Sequence, residues 1–433
     1  MKKILAVALV LCLVLAVAPM AFADNPVVKI GVFEPQSGDN GAGGKQEILG
    51  MQYANQLTPT VDIDGTTYDV ELVYADNASA NDKAPTAAQS LISSGVSLVL
   101  GSYGSGVSIA AGDTFAAAEV PAIGVTCTNP QVTSECDVYF RICFLDPFQG
   151  TVLANFAKSE LGATKAYCLA KQGDDYSGGL CNYFIDAFGK EACVYEQFPE
   201  GTSDFSTYIT NAQNQGCDVF FSPVSTEAAA QIIAKADTQA LGMPILAGDT
   251  WDSNVILNAA KGKDLKICVT TFYQEGADPD FDKGIKEWIK NDATALANNG
   301  GNDELAAVTV MGFDAYYVAL EALKAAGSVD PADVLETLPS LEYTGVTGKI
   351  AFDDIGDALR DSAFVKTCNT ETGAWDFVTV ATVGLSPSGF RPGITRIADK
   401  KLGCRVLCPA LHLRSRPFSL RRLPPWIKRS CPI

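Results

Sequence analysis

Residues 97–125 read SLVLGSYGSGVSIAAGDTFAAAEVPAIGV. Ser97–Gly101 is a short apolar run of strand type, 105–118 carries a helical pattern, and Pro121–Val125 is a second strand-like run. The same unit extends upstream, with strands expected at Val27–Phe33 and Tyr68–Tyr74 and helices at 43–56 and 82–94. It then restarts downstream. Strands are expected at Lys165–Ala170, Cys193–Phe198, Asp218–Val224 and Pro244–Gly248, with helices at 177–189, 204–215, 226–240 and 252–260. Alternating strand and helix is the signature of a parallel sheet covered on both faces. Two such series predict an α/β chain with two doubly wound parallel-sheet lobes. Ile267–Phe272 leads out of the second series, followed by helices near 281–292, 303–326 and 331–338 and strands at 349–353, 362–367 and 375–383. Open α/β sheets bind ligands beyond the carboxyl ends of their strands, so two facing sheets predict a cleft that a hinge can close.

The start of the chain points to export. Lys2 and Lys3 precede an apolar run from Ile4 to about Ala18, and Ala21-Phe-Ala23 is an A-x-A cleavage site. Residues 1–23 therefore read as a secretory signal peptide. Leu11 before Cys12 does not fit a lipobox, and no other run approaches the ~20 apolar residues of a membrane helix. Eleven of the 32 Lys and Arg and one of the 50 acids lie in 385–433, and two more Lys open the chain. That leaves 19 basic against 49 acidic residues, a net of −30, in 24–384. Such a body repels nucleic acid and anionic membranes. The tail 385–433 is rich in Arg and Pro and has no periodicity. It reads as a disordered or frameshifted extension, or else as a basic arm for anionic surfaces.

Nine cysteines stand in the body, an odd number without regular spacing or a CxxC. Buried thiols acting as small hydrophobes account for most of them, and Cys127 with Cys136 is the pair to test as a disulfide. The single histidine, His412, lies in the tail, so a His-based triad or His-ligated metal is excluded from the body. There is no Walker loop and no G-x-S-x-G, and Gly104-Ser-Gly lacks a base to activate it. No catalytic residue, cofactor or metal is expected.

Several ordered motifs carry a resemblance. They are Lys29-Ile-Gly-Val-Phe-Glu-Pro-Gln-Ser-Gly, Leu100-Gly-Ser-Tyr-Gly-Ser-Gly-Val, Pro121-Ala-Ile-Gly-Val-Thr-Cys-Thr-Asn-Pro, Tyr139-Phe-Arg, Gly248-Asp-Thr-Trp and Gly348-Lys-Ile-Ala-Phe-Asp. In this order and spacing they resemble the leucine/isoleucine/valine-binding proteins, the type I periplasmic binding proteins of ABC importers, over roughly 27–383. The resemblance implies three crossovers, near 145–149, 270–275 and 350–354. The N-terminal ligand-binding lobe would then be 24–146 with 274–350, and the C-terminal lobe 147–272 with 353–384.

The resemblance also implies a ligand set. Ser105 opens a helix, where it is either a plain N-cap or, as in the family, the partner of a ligand α-carboxylate at the positive helix end. Thr126 and Thr128 follow a strand at its carboxyl end; the family uses the hydroxyl of the second and the carbonyl of the first, and turn chemistry is the plain alternative. Asp249, where the family usually has Glu, would pair with a ligand ammonium or else cap the helix near 252. Tyr176 would cover the ligand, or is a surface loop aromatic. Gly41-Ala-Gly-Gly lacks an aromatic that the family often has near Gly43, and another family aromatic aligns with Val224. Tyr103 and Trp251 are aromatic where the family is often aliphatic, which implies a rebuilt side-chain pocket with the amino-acid clamp retained. The implied function is a monomeric, exported receptor that binds a small amino acid and delivers it to permease subunits, without inserting in the membrane. A sensory module of the same fold, or a receptor for a small amide or carboxylate, are the alternatives.

Overall fold

The structure, a computed structural model, describes residues 25–382. The expected signal peptide and basic tail lie outside the described residues.

The first sheet has six strands: β1 (Val27–Glu34), β2 (Thr60–Ile63), β3 (Thr66–Asp76), β4 (Leu98–Leu100), β5 (Ala122–Gly124) and β6 (Tyr139–Arg141). Their order is β2-β3-β1-β4-β5-β6, parallel throughout except for the β2–β3 hairpin. Ile30, Val32, Leu98, Leu100 and Ile123 are fully buried within it. Near-continuous apolar runs are what a strand covered on both faces requires, and each such side chain contributes ~1.5–3 kcal/mol. Helices α1 (Gly41–Leu57), α2 (Ala84–Ser93), α3 (Ser105–Ala117) and α4 (Gln131–Ser134) connect these strands.

Sequence periodicity predicts no helix over 146–159, yet α5 (Asp146–Ser159) forms there with Pro147 in its first turn, where proline is tolerated. It carries the chain into the second sheet. That sheet has seven strands: β7 (Ala166–Lys171), β8 (Cys193–Phe198), β9 (Val219–Phe221), β10 (Ile245–Ala247), β11 (Ile267–Thr271), β14 (Ser362–Asn369) and β15 (Ala374–Thr382). The order is β15-β14-β11-β10-β9-β7-β8, with β14 and β15 antiparallel at one edge. Helices α6 (Asp175–Phe188), α7 (Ser206–Asn214), α8 (Thr226–Thr238) and α9 (Asn254–Ala260) belong to it. Ile267–Phe272 was expected to lead out of this lobe, but as β11 it extends the sheet beyond β10.

After β11 the chain returns to the first lobe as α10 (Pro279–Asn291), α11 (Ala293–Asn298), α12 (Ala307–Ala326) and α13 (Pro331–Thr337). A hairpin of β12 (Glu342–Gly345) and β13 (Gly348–Ala351) follows, before the chain crosses to β14. Helix α12 is buried along most of its length and crosses α1 at two glycines. A Cβ on Gly50 would collide with the Thr309 carbonyl, and one on Gly312 with that of Glu47. The absent side chains let the two backbones touch, which fixes the height of α1 over the sheet edge.

All nine body cysteines are free thiols, eight of them buried. The expected Cys127–Cys136 disulfide is therefore not formed. Cys136 Sγ instead lies 3.6 Å from the Gly112 carbonyl, and both residues pack in the same apolar cluster.

Candidate functional site

The carboxyl ends of β1, β4 and β5 meet those of β7 and β10 across a closed cleft. Tyr103 OH donates to the Thr250 carbonyl at 3.2 Å, Asn129 Nδ2 to the Asp175 carbonyl at 2.8 Å, and Ser253 Oγ to Gln46 Oε1 at 3.1 Å. At the rim, Lys171 Nζ pairs with Asp39 at 2.7 Å.

On the second-lobe side the centre is Asp249. It follows β10 through Gly248, at the start of a short 3₁₀ turn, Asp249–Trp251. A Cβ on Gly248 would lie 2.8 Å from Gln149 Oε1 and would collide with the Tyr176 hydroxyl, so only glycine admits these groups. Gln149, on the first turn of α5, donates Nε2 to Asp249 Oδ1 at 2.8 Å. Its Oε1 accepts from the Asp249 N–H at 2.8 Å and from Thr270 Oγ1 at 2.7 Å. Tyr176 OH, on α6, also donates to Asp249 Oδ1 at 2.8 Å. One carboxylate oxygen is thus doubly bonded, while Oδ2 is buried and has no partner. Burial pushes the Asp249 carboxyl up to about 6 despite the two donors. The plain alternative of a helix cap does not hold, because Ser253 caps α9 through the Val255 N–H.

On the first-lobe side, Thr126 Oγ1 donates to Glu47 Oε1, and Thr128 Oγ1 is buried without a partner. The Thr128 carbonyl accepts from the Asp146 N–H at 3.0 Å. Asp146 lies 3.4 Å from Gln149 Nε2 through Oδ1. Ser105 was expected at the N-cap of its helix. Gly104 holds that position with extended backbone, and Ser105 is the first helical residue. Its Oγ accepts from the Asn129 N–H at 3.2 Å, which ties the helix start to the Thr128–Asn129 turn. Ser105, Thr128, Asp146, Gln149 and Asp249 therefore form one connected, buried series across the cleft.

Arg141, from the Tyr139-Phe-Arg motif, holds that turn in place. Its guanidinium, fully buried, donates to the carbonyls of Cys127 and Asn129 at 2.8 and 2.6 Å and pairs with Asp357 at 2.6 Å. It is committed to the scaffold.

Tyr103 stands in the cleft. Its ring lies where a Cβ on Gly43 would be, so only glycine admits it there. Its N–H donates to Glu34 Oε2 at 2.7 Å. Trp251, in contrast, is fully buried in the second-lobe core, and its indole donates to the Val224 carbonyl at 3.0 Å. Its polar edge is used within its own lobe.

Glu34, Glu47, Asp146 and Gln149 escaped sequence reasoning. Glu34 ends β1 and Glu47 lies on the second turn of α1, both fully buried. Burial and the charge of Glu47 hold the Glu34 carboxyl well above the usual range, and burial pushes Glu47 and Asp146 up to about 8. A carboxylate following a strand inside the expected sheet edge was the available signal for Glu34. Among the described residues, no group of three or more His, Cys, Asp or Glu has the arrangement of a metal site. No described helix is long and apolar enough to cross a membrane.

Comparison with known proteins agrees with this fold. "Leu/Ile/Val-binding protein homolog 1" of Brucella abortus is 28% identical over 363 residues, which cover 82% of this chain and 94% of that protein. An amino acid binding protein of Pseudomonas aeruginosa is 27% identical over 365 residues, or 83% of this chain and 93% of that one. Among solved structures, a leucine binding protein, LivK, of Thermotoga maritima superposes with a TM-score of 0.70 at 30% identity, covering 82% of this chain and 99% of its own. A benzoate-bound solute binding protein of R. palustris shares the fold alone, with a TM-score of 0.69 at 16% identity and 82% and 96% coverage. The family model for periplasmic binding proteins matches residues 27–371, and the chain belongs to that family.

Proposed function

We propose that this protein is the exported receptor of an ABC importer and that its cleft closes on a small α-amino acid. The observation that carries the reading is Asp249. Its Oδ1 is held by Gln149 and Tyr176, and its buried Oδ2 is left for a cationic donor at the carboxyl end of β10. Across the cleft, the start of α3 and the unpartnered hydroxyl of Thr128 supply donors for the ligand carboxylate. Tyr176 closes over the ammonium and Tyr103 shapes the side-chain pocket. Export runs through a signal peptide at 1–23, and the closed monomer presents its surface to permease subunits. Catalysis has no part in this reading, since ligand capture requires closure and no bond-making step. A benzoate-type carboxylate brings no cation and would leave the buried Asp249 Oδ2 without a donor.

A thermal-shift screen of the twenty amino acids, small amides and small carboxylates, followed by calorimetry, tests the reading. At least one α-amino acid is expected to raise the melting temperature by several degrees. Stabilisation by amides or benzoates alone would refute it.

A further inference from the structure

Five buried polar atoms of the cleft, Glu34 Oε1, Glu47 Oε2, Asp146 Oδ2, Asp249 Oδ2 and Thr128 Oγ1, have no partner outside their own group, in which Glu34 faces Glu47 and Asp146 faces Thr128. Four of the five are carboxylate oxygens, and they come from four separate elements: β1, α1, the start of α5 and the turn after β10. Buried polar groups in proteins are almost always paired, and carboxylates in particular demand donors. Among the described residues, no Lys or Arg lies within ion-pair distance of any of the four. The buried cations nearby are committed, Arg141 to Asp357 and Lys366 to Asp252 at 3.0 Å.

The arithmetic of charge then decides between ligands. A leucine-like zwitterion brings one ammonium, which pairs with Asp249, and leaves the buried Glu34, Glu47 and Asp146 carboxyls without an ionic partner. Its side chain would also place hydrocarbon against unsatisfied acceptors, at a cost for each one. A ligand with a second cationic donor removes both penalties.

Resting on the amino-acid reading above, we infer that the ligand is a small basic amino acid. Its α-ammonium lies at Asp249 and Asp146, and its side-chain cation lies at Glu34 and Glu47. The two acidic pairs belong to one site. Thr126 bonds Glu47 from the turn that carries Thr128, Tyr103 bonds Glu34 through its N–H and Thr250 through its hydroxyl, and the charge of Asp249 is felt at Glu47. The other titratable groups facing these acids are Tyr103, Cys127, Tyr176, Asp252 and Arg141, and the one cation among them, Arg141, is held by Asp357. Without ligand, burial keeps protons on Glu47 and Asp146 up to about pH 8. A bound cation takes the place of those protons.

Calorimetry with L-ornithine, L-lysine and L-arginine, each against a neutral counterpart (L-norvaline, L-norleucine, L-citrulline), tests the inference. At least one basic amino acid should bind tenfold or more tightly than its counterpart. That preference should fall to about twofold in Glu47→Gln and Glu34→Gln. Should either variant fail to fold, the wild-type protein still decides: at pH 7, the heat of binding the basic amino acid should vary with the ionisation enthalpy of the buffer, reporting proton release. Tight binding of leucine or norleucine with no tighter basic ligand, and no buffer dependence, would overturn this inference alone. Binding of no amino acid of either kind would overturn the amino-acid reading and this inference with it.

Discussion

Asp249→Asn separates a ligand partner from a structural carboxylate, because the two roles predict opposite signs in two measurements. The substitution keeps the shape of the side chain and an Oδ1 that still accepts from Gln149 and Tyr176. It replaces the unpartnered Oδ2 with an NH₂, which points its own donors at a ligand ammonium. A hydrogen bond between charged groups contributes ~1.5–3 kcal/mol, so affinity for the amino acid should fall by roughly 10- to 150-fold. Stability without ligand should move the other way. The carboxyl is raised to about 6 in the folded chain against 3.8 in the unfolded one. Its contribution is thus fully present below about pH 4 and lost as pH rises through 6. At pH 8, holding it ionised costs ~3 kcal/mol, at ~1.4 kcal/mol per pH unit. The ligand-free variant should therefore melt a few degrees higher than wild type at pH 8 and nearly equally at pH 4. Calorimetry and a melting series at the two pH values read both effects. An affinity within twofold of wild type, or a large fall in melting temperature at pH 8, would refute the reasoning.

Gly43→Ala should reduce affinity tenfold or more, because its Cβ collides with the Tyr103 ring, and Tyr103→Leu in the same chain should recover part of the loss in a binding titration. Arg141→Met should destabilise by ~3–5 kcal/mol in urea unfolding, since it leaves Asp357 buried and unpaired; adding Asp357→Leu should restore part of that. Ligand-free stability should decline between pH 5 and 8, where the folded chain holds protons on Glu47, Asp146 and Asp249 that the unfolded chain has released, and saturating ligand should flatten the decline. Reductant should leave the melting temperature unchanged, because Cys127 and Cys136 are thiols.

The alternation of strands and helices was legible because buried parallel strands must be apolar along their length, and Leu98–Leu100, Ala122–Gly124 and Ile245–Ala247 obey that rule. Candidate residues just after those strands were legible for the same reason. Ser105, Thr128, Tyr176 and Asp249 all fall in the buried series or against it. Glu47 was hidden by its setting. Helix α1 is buried on several faces by α12 and carries four glycines, so its amphipathic pattern is weak, and a glutamate within it reads as solvent-facing. Gln149 was hidden because the helix that carries it was not recognised, although Asp146-Pro147 is a good helix opening. Trp251 illustrates the converse. It is next but one to Asp249 in the chain, yet the 3₁₀ turn sends its ring into the second-lobe core while Asp249 meets Tyr176. Chain proximity to a binding residue does not fix the direction of a side chain when the backbone turns.

The closed cleft also explains why charge, and not apolar area, governs this site. Closure is held by hydrogen bonds between the lobes, among them Tyr103–Thr250, Asn129–Asp175, Ser253–Gln46 and Asn254 with the carbonyls of Asn299 and Glu304, each with a net value of ~0.5–1.5 kcal/mol, and by the half-exposed Lys171–Asp39 pair, which adds ~0–1 kcal/mol. Against these contacts stands the dehydration of carboxyl groups from both lobes. Driving such a balance from 1:99 to 99:1 takes ~5.5 kcal/mol of differential affinity. Two charge-assisted bonds made only in the closed state supply ~3–6 kcal/mol. A ligand can close the lobes only through what it gains there and not in the open form. Here that gain comes from a cation taking the place of the protons that the buried acids hold in the unliganded closed cleft.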